Sequence, residues 1–211
     1  MQSLQWIQAC HFRRLAGMAF LIGMLAACQQ SERLSSVPET GIILAFGDSL
    51  TYGTGVGPEA SYPAVLEALT GRTVINAGVP GEVTAEGLKR LPGLLEAYRP
   101  DLLILIEGGN DMLRRRSEMR TRDNLSRMVS LAKEQGVPVI LVGVPKPGLL
   151  LASADFYPQL ADELGVPYVD GVLADILSDQ GLKSDLIHPN EPGYRRLAEV
   201  LADFLRERGA L

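Results

Sequence analysis

From Ile42 onwards, short runs of β-branched and aliphatic residues alternate with stretches whose apolar positions recur at helical spacing. IILAF (42–46), TVINA (73–77), LLILIE (102–107), PVILVGV (138–144) and PYVD (167–170) predict five strands. Several are apolar at nearly every position, the pattern of parallel strands covered on both faces. Between them SYPAVLEALTG, TAEGLKRLPGLLEAYR, TRDNLSRMVSLAKEQG and DFYPQLADELG predict helices, and HPNEPGYRRLAEVLADFLRERG carries a last one. Gly71, Gly136 and Gly165 stand where helix C-caps are expected. Pro92 marks a candidate kink, because its ring removes a donor from the helix ladder. This βαβα rhythm predicts an α/β fold, a three-layer α/β/α sandwich around a mainly parallel five-stranded sheet. No internal repeat or low-complexity segment interrupts it.

The first forty residues follow another pattern. Arg13 and Arg14 precede an unbroken apolar run from Leu15 to Ala27. At about 1.5 Å per residue that run covers about 20 Å as a helix, short of a bilayer core of about 30 Å. A positive flank, a short apolar centre and small residues at its end describe a secretory signal, residues 1–27. LAAC, Leu25 to Cys28, resembles a bacterial lipobox. The resemblance implies that Cys28 is acylated, becomes the mature N-terminus and anchors the chain in a membrane. Acyl chains at about 0.8 kcal/mol per buried methylene can hold a folded domain on a bilayer. Gln29, where Asp would signal inner-membrane retention, leans towards the outer membrane, so the expected place is the bacterial cell envelope, facing the periplasm. Residues 28–40 are expected to be the lipidated cysteine and a flexible tether, and 41–211 the folded domain.

Length and charge bound the rest. A chain of 211 residues suits one domain after such a leader. The formal net charge of -5 becomes -7 once Arg13 and Arg14 leave with the signal, which argues against a nucleic-acid partner. Cys10 would leave with the signal and Cys28 would carry lipid, so the domain has no thiol for a disulfide, a zinc site or a nucleophile.

Open parallel sheets place their sites at the carboxyl ends of strands, near a topological switch point. Three loops there carry chemistry: GDSL after the first strand, NAGVPGE after the second and GGND after the third. A serine hydroxyl needs a base before it can attack, and histidine is the usual one. His11 lies in the signal, so His188 is the candidate base for Ser49. Asp185, three residues earlier in SDLIHPN, is placed to accept from Nδ1–H and leave Nε2 free. The charge formed on attack needs fixed donors. The candidates are the Ser49 N–H, the Gly81 N–H and the Asn110 side-chain amide. Read alone, Ser49 could simply cap the following helix, and Asn110 and Asp111 could form an Asx turn.

With these four blocks in order, the chain resembles the SGNH hydrolases of the GDSL esterase/lipase family. Ser49, Gly81, Asn110 and His188 stand at the family's four letters, across residues 42 to about 206. The likeness is to the bacterial subgroup described as thioesterase I, arylesterase and lysophospholipase. It implies a flavodoxin-like strand order 2-1-3-4-5. It also implies a Ser49–His188–Asp185 triad, an acyl-enzyme and an oxyanion hole of Ser49, Gly81 and Asn110, with no metal and no cofactor. Pro80 departs from the subgroup, which often has a small polar residue there.

The implied partner is a small ester or lipid substrate. Three functions stay open: acyl ester or thioester hydrolysis, removal of acetyl groups from cell-wall or other periplasmic glycans, and binding without turnover by a lipoprotein that keeps the fold. GTGVGP, Gly53 to Pro58, fails the dinucleotide-binding pattern because Pro58 replaces its last glycine. It reads instead as a lip beside the site. LRRRSEMRTR, Leu113 to Arg122, is a dense basic cluster with two readings: a solvated helix entrance, or a contact for anionic groups.

Overall fold

The computed structural model describes residues 33–148 and 151–211. The signal, Cys10, His11 and the Cys28 lipidation site lie outside the described residues. Five strands form: β1 (Ile42–Gly47), β2 (Thr73–Gly78), β3 (Leu102–Ile106), β4 (Val139–Val142) and β5 (Tyr168–Val169). All pair in parallel, in the order β2-β1-β3-β4-β5. This is the α/β sandwich and flavodoxin-like order expected from the sequence.

The helices are α1 (Ser49–Tyr52), α2 (Tyr62–Thr70), α3 (Thr84–Tyr98), α4 (Gly109–Leu113), α5 (Glu118–Glu134), α6 (Phe156–Leu164), α7 (Val172–Ser178) and α8 (Glu191–Glu207). α2 packs on α8, and α8 on α7; α3 packs on α5, and α5 on α6. Two layers result, because right-handed crossovers that run in opposite directions along a sheet place their helices on opposite faces. The direction reverses after β2, so the switch point falls between β1 and β3.

Burial explains why these segments take these states. Every side chain of β3 is buried, as are Ile43 to Phe46 in β1 and all of β4. β2 lies at the sheet edge and is buried only at intervals. Each buried aliphatic side chain contributes about 1.5–3 kcal/mol relative to exposure. Along α8, Tyr194, Leu197, Ala198, Leu201, Ala202 and Leu205 are buried at helical spacing. α3 runs through Pro92 without interruption, giving up only the bond that a residue-92 N–H would make to Leu88.

Residues 34–37, expected from their polar surroundings to belong to a tether, pack on the folded unit. Leu34 and Val37 are buried, and their N–H groups donate to Arg208 O and Ala210 O at 3.0 and 2.8 Å. Two apolar residues spaced three apart suffice to lay the segment on the end of the chain, so the folded unit begins at Leu34 and not at residue 41.

Candidate active site

β1 passes into α1 over two residues. A Cβ at Gly47 would stand 2.0 Å from the Ile106 carbonyl oxygen, so only glycine lets β1 end beside β3 there. Asp48 caps α1, its Oδ1 accepting the Leu50 N–H at 3.0 Å. Ser49 therefore occupies the first helical position, where backbone N–H groups have no partner inside the helix.

The loop before α8 presents the imidazole. Asp185 Oδ1 accepts the N–H groups of Ile187 and His188, both at 2.8 Å, and the Ser184 N–H donates to His188 O at 2.9 Å. The side chain of Asp185 is thus fixed by the loop it belongs to. Its Oδ2 lies 2.7 Å from His188 Nδ1, and His188 Nε2 lies 3.0 Å from Ser49 Oγ, across 139 residues of sequence. An ionised carboxylate can only accept, so Nδ1 carries the proton and Nε2 is left to accept from the serine hydroxyl. Asn190 then caps α8, its side chain accepting the Gly193 N–H at 3.1 Å.

Two contacts lock this loop to the serine loop. The buried Tyr194 of α8 donates its hydroxyl to Thr54 O at 3.1 Å. Gly55 sits at φ +97, and a Cβ there would stand 2.6 Å from Ser184 Oγ. Gly55 of GTGVGP thus permits close packing against the histidine loop.

GGND opens α4 at the end of β3. Asn110 Nδ2 donates to Asp48 Oδ2 at 3.1 Å, so the amide sits beside the serine loop with its second hydrogen unassigned. Asp111 is buried and turns away: its oxygens accept the Thr84 N–H and hydroxyl, both at 2.8 Å, and the Thr121 hydroxyl at 3.3 Å. Asp111 is a structural tie between α4, α3 and α5. Gly81 lies in the loop after β2 at φ +79, where Arg114 Nη2 donates to its carbonyl at 2.8 Å. Among the described residues no acceptor takes the N–H of Ser49 or of Gly81.

The electrostatics centre on buried carboxyls. Burial raises Asp48 to about 6, against lowering contributions from the Leu50 N–H, His188 and Asn110. Burial works upwards on Asp185 too, but hydrogen bonds from the His188 ring and from the Ile187 and His188 N–H groups hold it below the usual carboxylate range. Glu107 is fully buried at the end of β3, and neither of its oxygens has a hydrogen-bond partner. Burial pushes it well above the ordinary range, and the nearby Asp48, Glu82 and Asp111 add to the push. Glu82 is buried as well, but Arg90 grips it through two bonds of 2.9 and 2.6 Å.

Ser49 and Asn110 line a cavity of about 780 Å³. Its walls are mainly apolar, from Leu113, Val144, Pro145, Leu177, Leu186 and Ile187. The structure thus gathers Ser49, His188, Asp185 and Asn110, while Gly81 stands on the neighbouring loop outside the cavity lining. Sequence reasoning missed Arg114, Tyr194 and Glu107. Only the Arg114 cluster had a signal to follow, as a run of arginines just after GGND.

A parallel α/β sandwich with a serine, a histidine and an aspartate linked at its switch point defines a hydrolase of the SGNH type. The GDSL-like Lipase/Acylhydrolase family model matches residues 45–196. An arylesterase of Vibrio mimicus is 32% identical over 91% of this chain and 97% of its own length. The thioesterase 1/protease 1/lysophospholipase L1 of Escherichia coli K12 is 30% identical over 78% of this chain and 83% of its own. Among solved structures, AlinE4, an SGNH-hydrolase family esterase, superposes with a TM-score of 0.64 at 33% identity, over 82% of this chain and 98% of that one. The chain belongs to the GDSL-like lipase/acylhydrolase family and is a serine esterase, a carboxylic ester hydrolase.

Proposed function

We propose that Ser49 attacks the carbonyl of an acyl ester or thioester and carries the acyl group until water releases it. The 3.0 Å contact between Ser49 Oγ and His188 Nε2, with Asp185 on the other ring nitrogen, carries this reading. His188 takes the hydroxyl proton as the bond to carbon forms and returns it to the leaving alcohol or thiol. It then takes a proton from the water that attacks the acyl-enzyme and gives it to Ser49 Oγ as the acyl–oxygen bond breaks. Asp185 keeps the ring in the required tautomer and opposes the charge of the imidazolium. The oxyanion is held by the N–H groups of Ser49 and Gly81 and by the second amide hydrogen of Asn110. Arg114 supports the Gly81 donor by fixing that residue's carbonyl.

The apolar walls of the cavity favour an acyl chain over a bare acetyl group. The lysophospholipase name of the Escherichia coli relative points the same way. The test is a chain-length series of nitrophenyl esters, with acetylated glycan in parallel. Turnover should rise beyond acetate and vanish in Ser49→Ala. Turnover confined to acetylated glycan would move the substrate to sugars. A Ser49→Ala variant as active as the parent would remove the mechanism.

We further infer that Cys28 carries lipid and holds the enzyme in the bacterial cell envelope facing the periplasm, with the outer membrane favoured by Gln29. Arg13, Arg14 and the apolar run 15–27 before Cys28 support this. Cys28→Ala should move the protein from the membrane to the soluble fraction.

A further inference from the structure

The exposed apolar side chains of this protein are unevenly placed. Eight large ones are exposed among the described residues. Leu69 and Tyr98 lie in the last turns of α2 and α3, just before β2 and β3 begin and so at the end of the sheet away from the site. The other six, Tyr52, Val79, Leu113, Met119, Leu186 and Ile187, follow strand ends or belong to the histidine loop. Leu113, Leu186 and Ile187 line the cavity that holds Ser49. Leu186 is 83% exposed and Met119 77%, values for side chains that reach outward.

The same rim carries the arginine cluster. Leu113 to Arg122 holds five arginines and one acid, Glu118, in a chain whose net charge is -5. Arg122 is taken by Glu163, and Arg114 donates to the Gly81 carbonyl. Arg115, Arg116 and Arg120 are exposed, and no carboxylate among the described residues lies within ion-pair distance of them. An apolar fringe around a cavity mouth, bordered by unpaired guanidinium groups, matches the two layers of a bilayer surface, acyl chains beneath anionic headgroups. A soluble polyanion would engage the arginines but give Leu186 and Met119 nothing to enter.

We propose that this rim is a docking surface for an anionic lipid bilayer, against which the cavity mouth opens. Ester substrates of the active site, on the reading given above, then enter from the plane of the membrane. Headgroups meet Arg115, Arg116 and Arg120, while Leu186, Ile187 and Leu113 enter the acyl boundary.

The test uses residues 29–211, which hold the folded unit from Leu34 onwards without Trp6 or the Cys28 acylation site, with Leu186→Trp as its one tryptophan. Its emission should shift to the blue on equimolar phosphatidylglycerol and phosphatidylcholine vesicles, and much less on phosphatidylcholine alone. The shift should be suppressed at 1 M salt, where the Debye length falls to about 3 Å. Arg115→Glu, Arg116→Glu and Arg120→Glu together should weaken the apparent vesicle affinity at least tenfold, since each arginine near an anionic leaflet is worth about fivefold. In the parent background these changes should leave turnover of soluble nitrophenyl acetate unaltered. The corresponding glutamine variants give a milder loss if the reversals impair folding. No shift, an equal shift on both vesicle types, or an equal shift with polyphosphate would overturn the docking surface. Adding Ser49→Ala separates the two readings: it should abolish turnover and leave the shift intact.

Discussion

On the mechanism proposed above, Asn110 has two duties on one amide: Nδ2 donates one hydrogen to Asp48 Oδ2 and offers the other to the charge that develops on the substrate. Asn110→Ala should lower kcat on a nitrophenyl ester by about 10²–10³, the usual cost of one oxyanion donor. The thermal midpoint should change little, because the residue is only partly buried. The same change should raise Asp48 further, since Asn110 is among the groups that hold it down. A carboxyl titration followed by NMR, compared between the variants, checks this. Ser49 and His188 could be singled out in the sequence because His188 is the only histidine after residue 11 and Ser49 stands in a recognisable block. The link from Asn110 to Asp48 could not, because nothing in either block says that their side chains meet.

At the scale of elements, the turn after β3 is a junction. Within GGND, Asn110 faces the serine loop while Asp111 faces away and binds Thr84 and Thr121, the starts of α3 and α5. Two adjacent polar residues can serve opposite sides because α4 begins at Gly109 and consecutive helical side chains point about 100° apart. Asp111→Ala leaves the Thr84 N–H buried without its acceptor, which should cost about 1–3 kcal/mol in urea unfolding. Soluble-ester turnover per folded molecule should fall far less than in Asn110→Ala. Five strands and the long helices were legible from their periodicity. α7 was not: it has only seven residues, with Asp175 between Ala174 and Ile176, too short a stretch to display a period. The helical reading of α5 also began late, at Thr121, because Glu118 to Arg120 are exposed and Met119, their one apolar residue, does not join the helix's buried stripe.

Among the described residues the molecule encloses a group of carboxyls beneath the site, and Glu107 is the one whose oxygens have no hydrogen-bond partner. Its folded pKa lies well above its ordinary 4.5, so the folded state holds a proton that the unfolded chain gives up more readily. Stability from that proton is complete below about pH 4.5 and is lost as pH rises through the folded value. Glu107→Gln cannot ionise. Its thermal midpoint should match the parent near pH 4 and exceed it increasingly towards pH 8, at about 2–4 °C per kcal/mol for a domain of this size. A difference that shrinks as pH rises would contradict the neutral state. No local pattern announces such a group, since a glutamate at the end of an apolar strand reads as a strand boundary.

By itself the sequence determined the elements and the chemistry available to them. Hydrophobic period is written in neighbouring residues, and a serine, a histidine and an aspartate keep their reactivity wherever they fall. Only the tertiary structure decided what meets what. Packing five strands in the order β2-β1-β3-β4-β5 brings residue 49 to residue 188. The same packing draws Leu34 and Val37 onto the chain's last residues, isolates Glu107 from water and sets unpaired arginines beside an apolar cavity mouth. Such contacts depend on solvent exclusion across long stretches of chain, a quantity no single window of sequence contains.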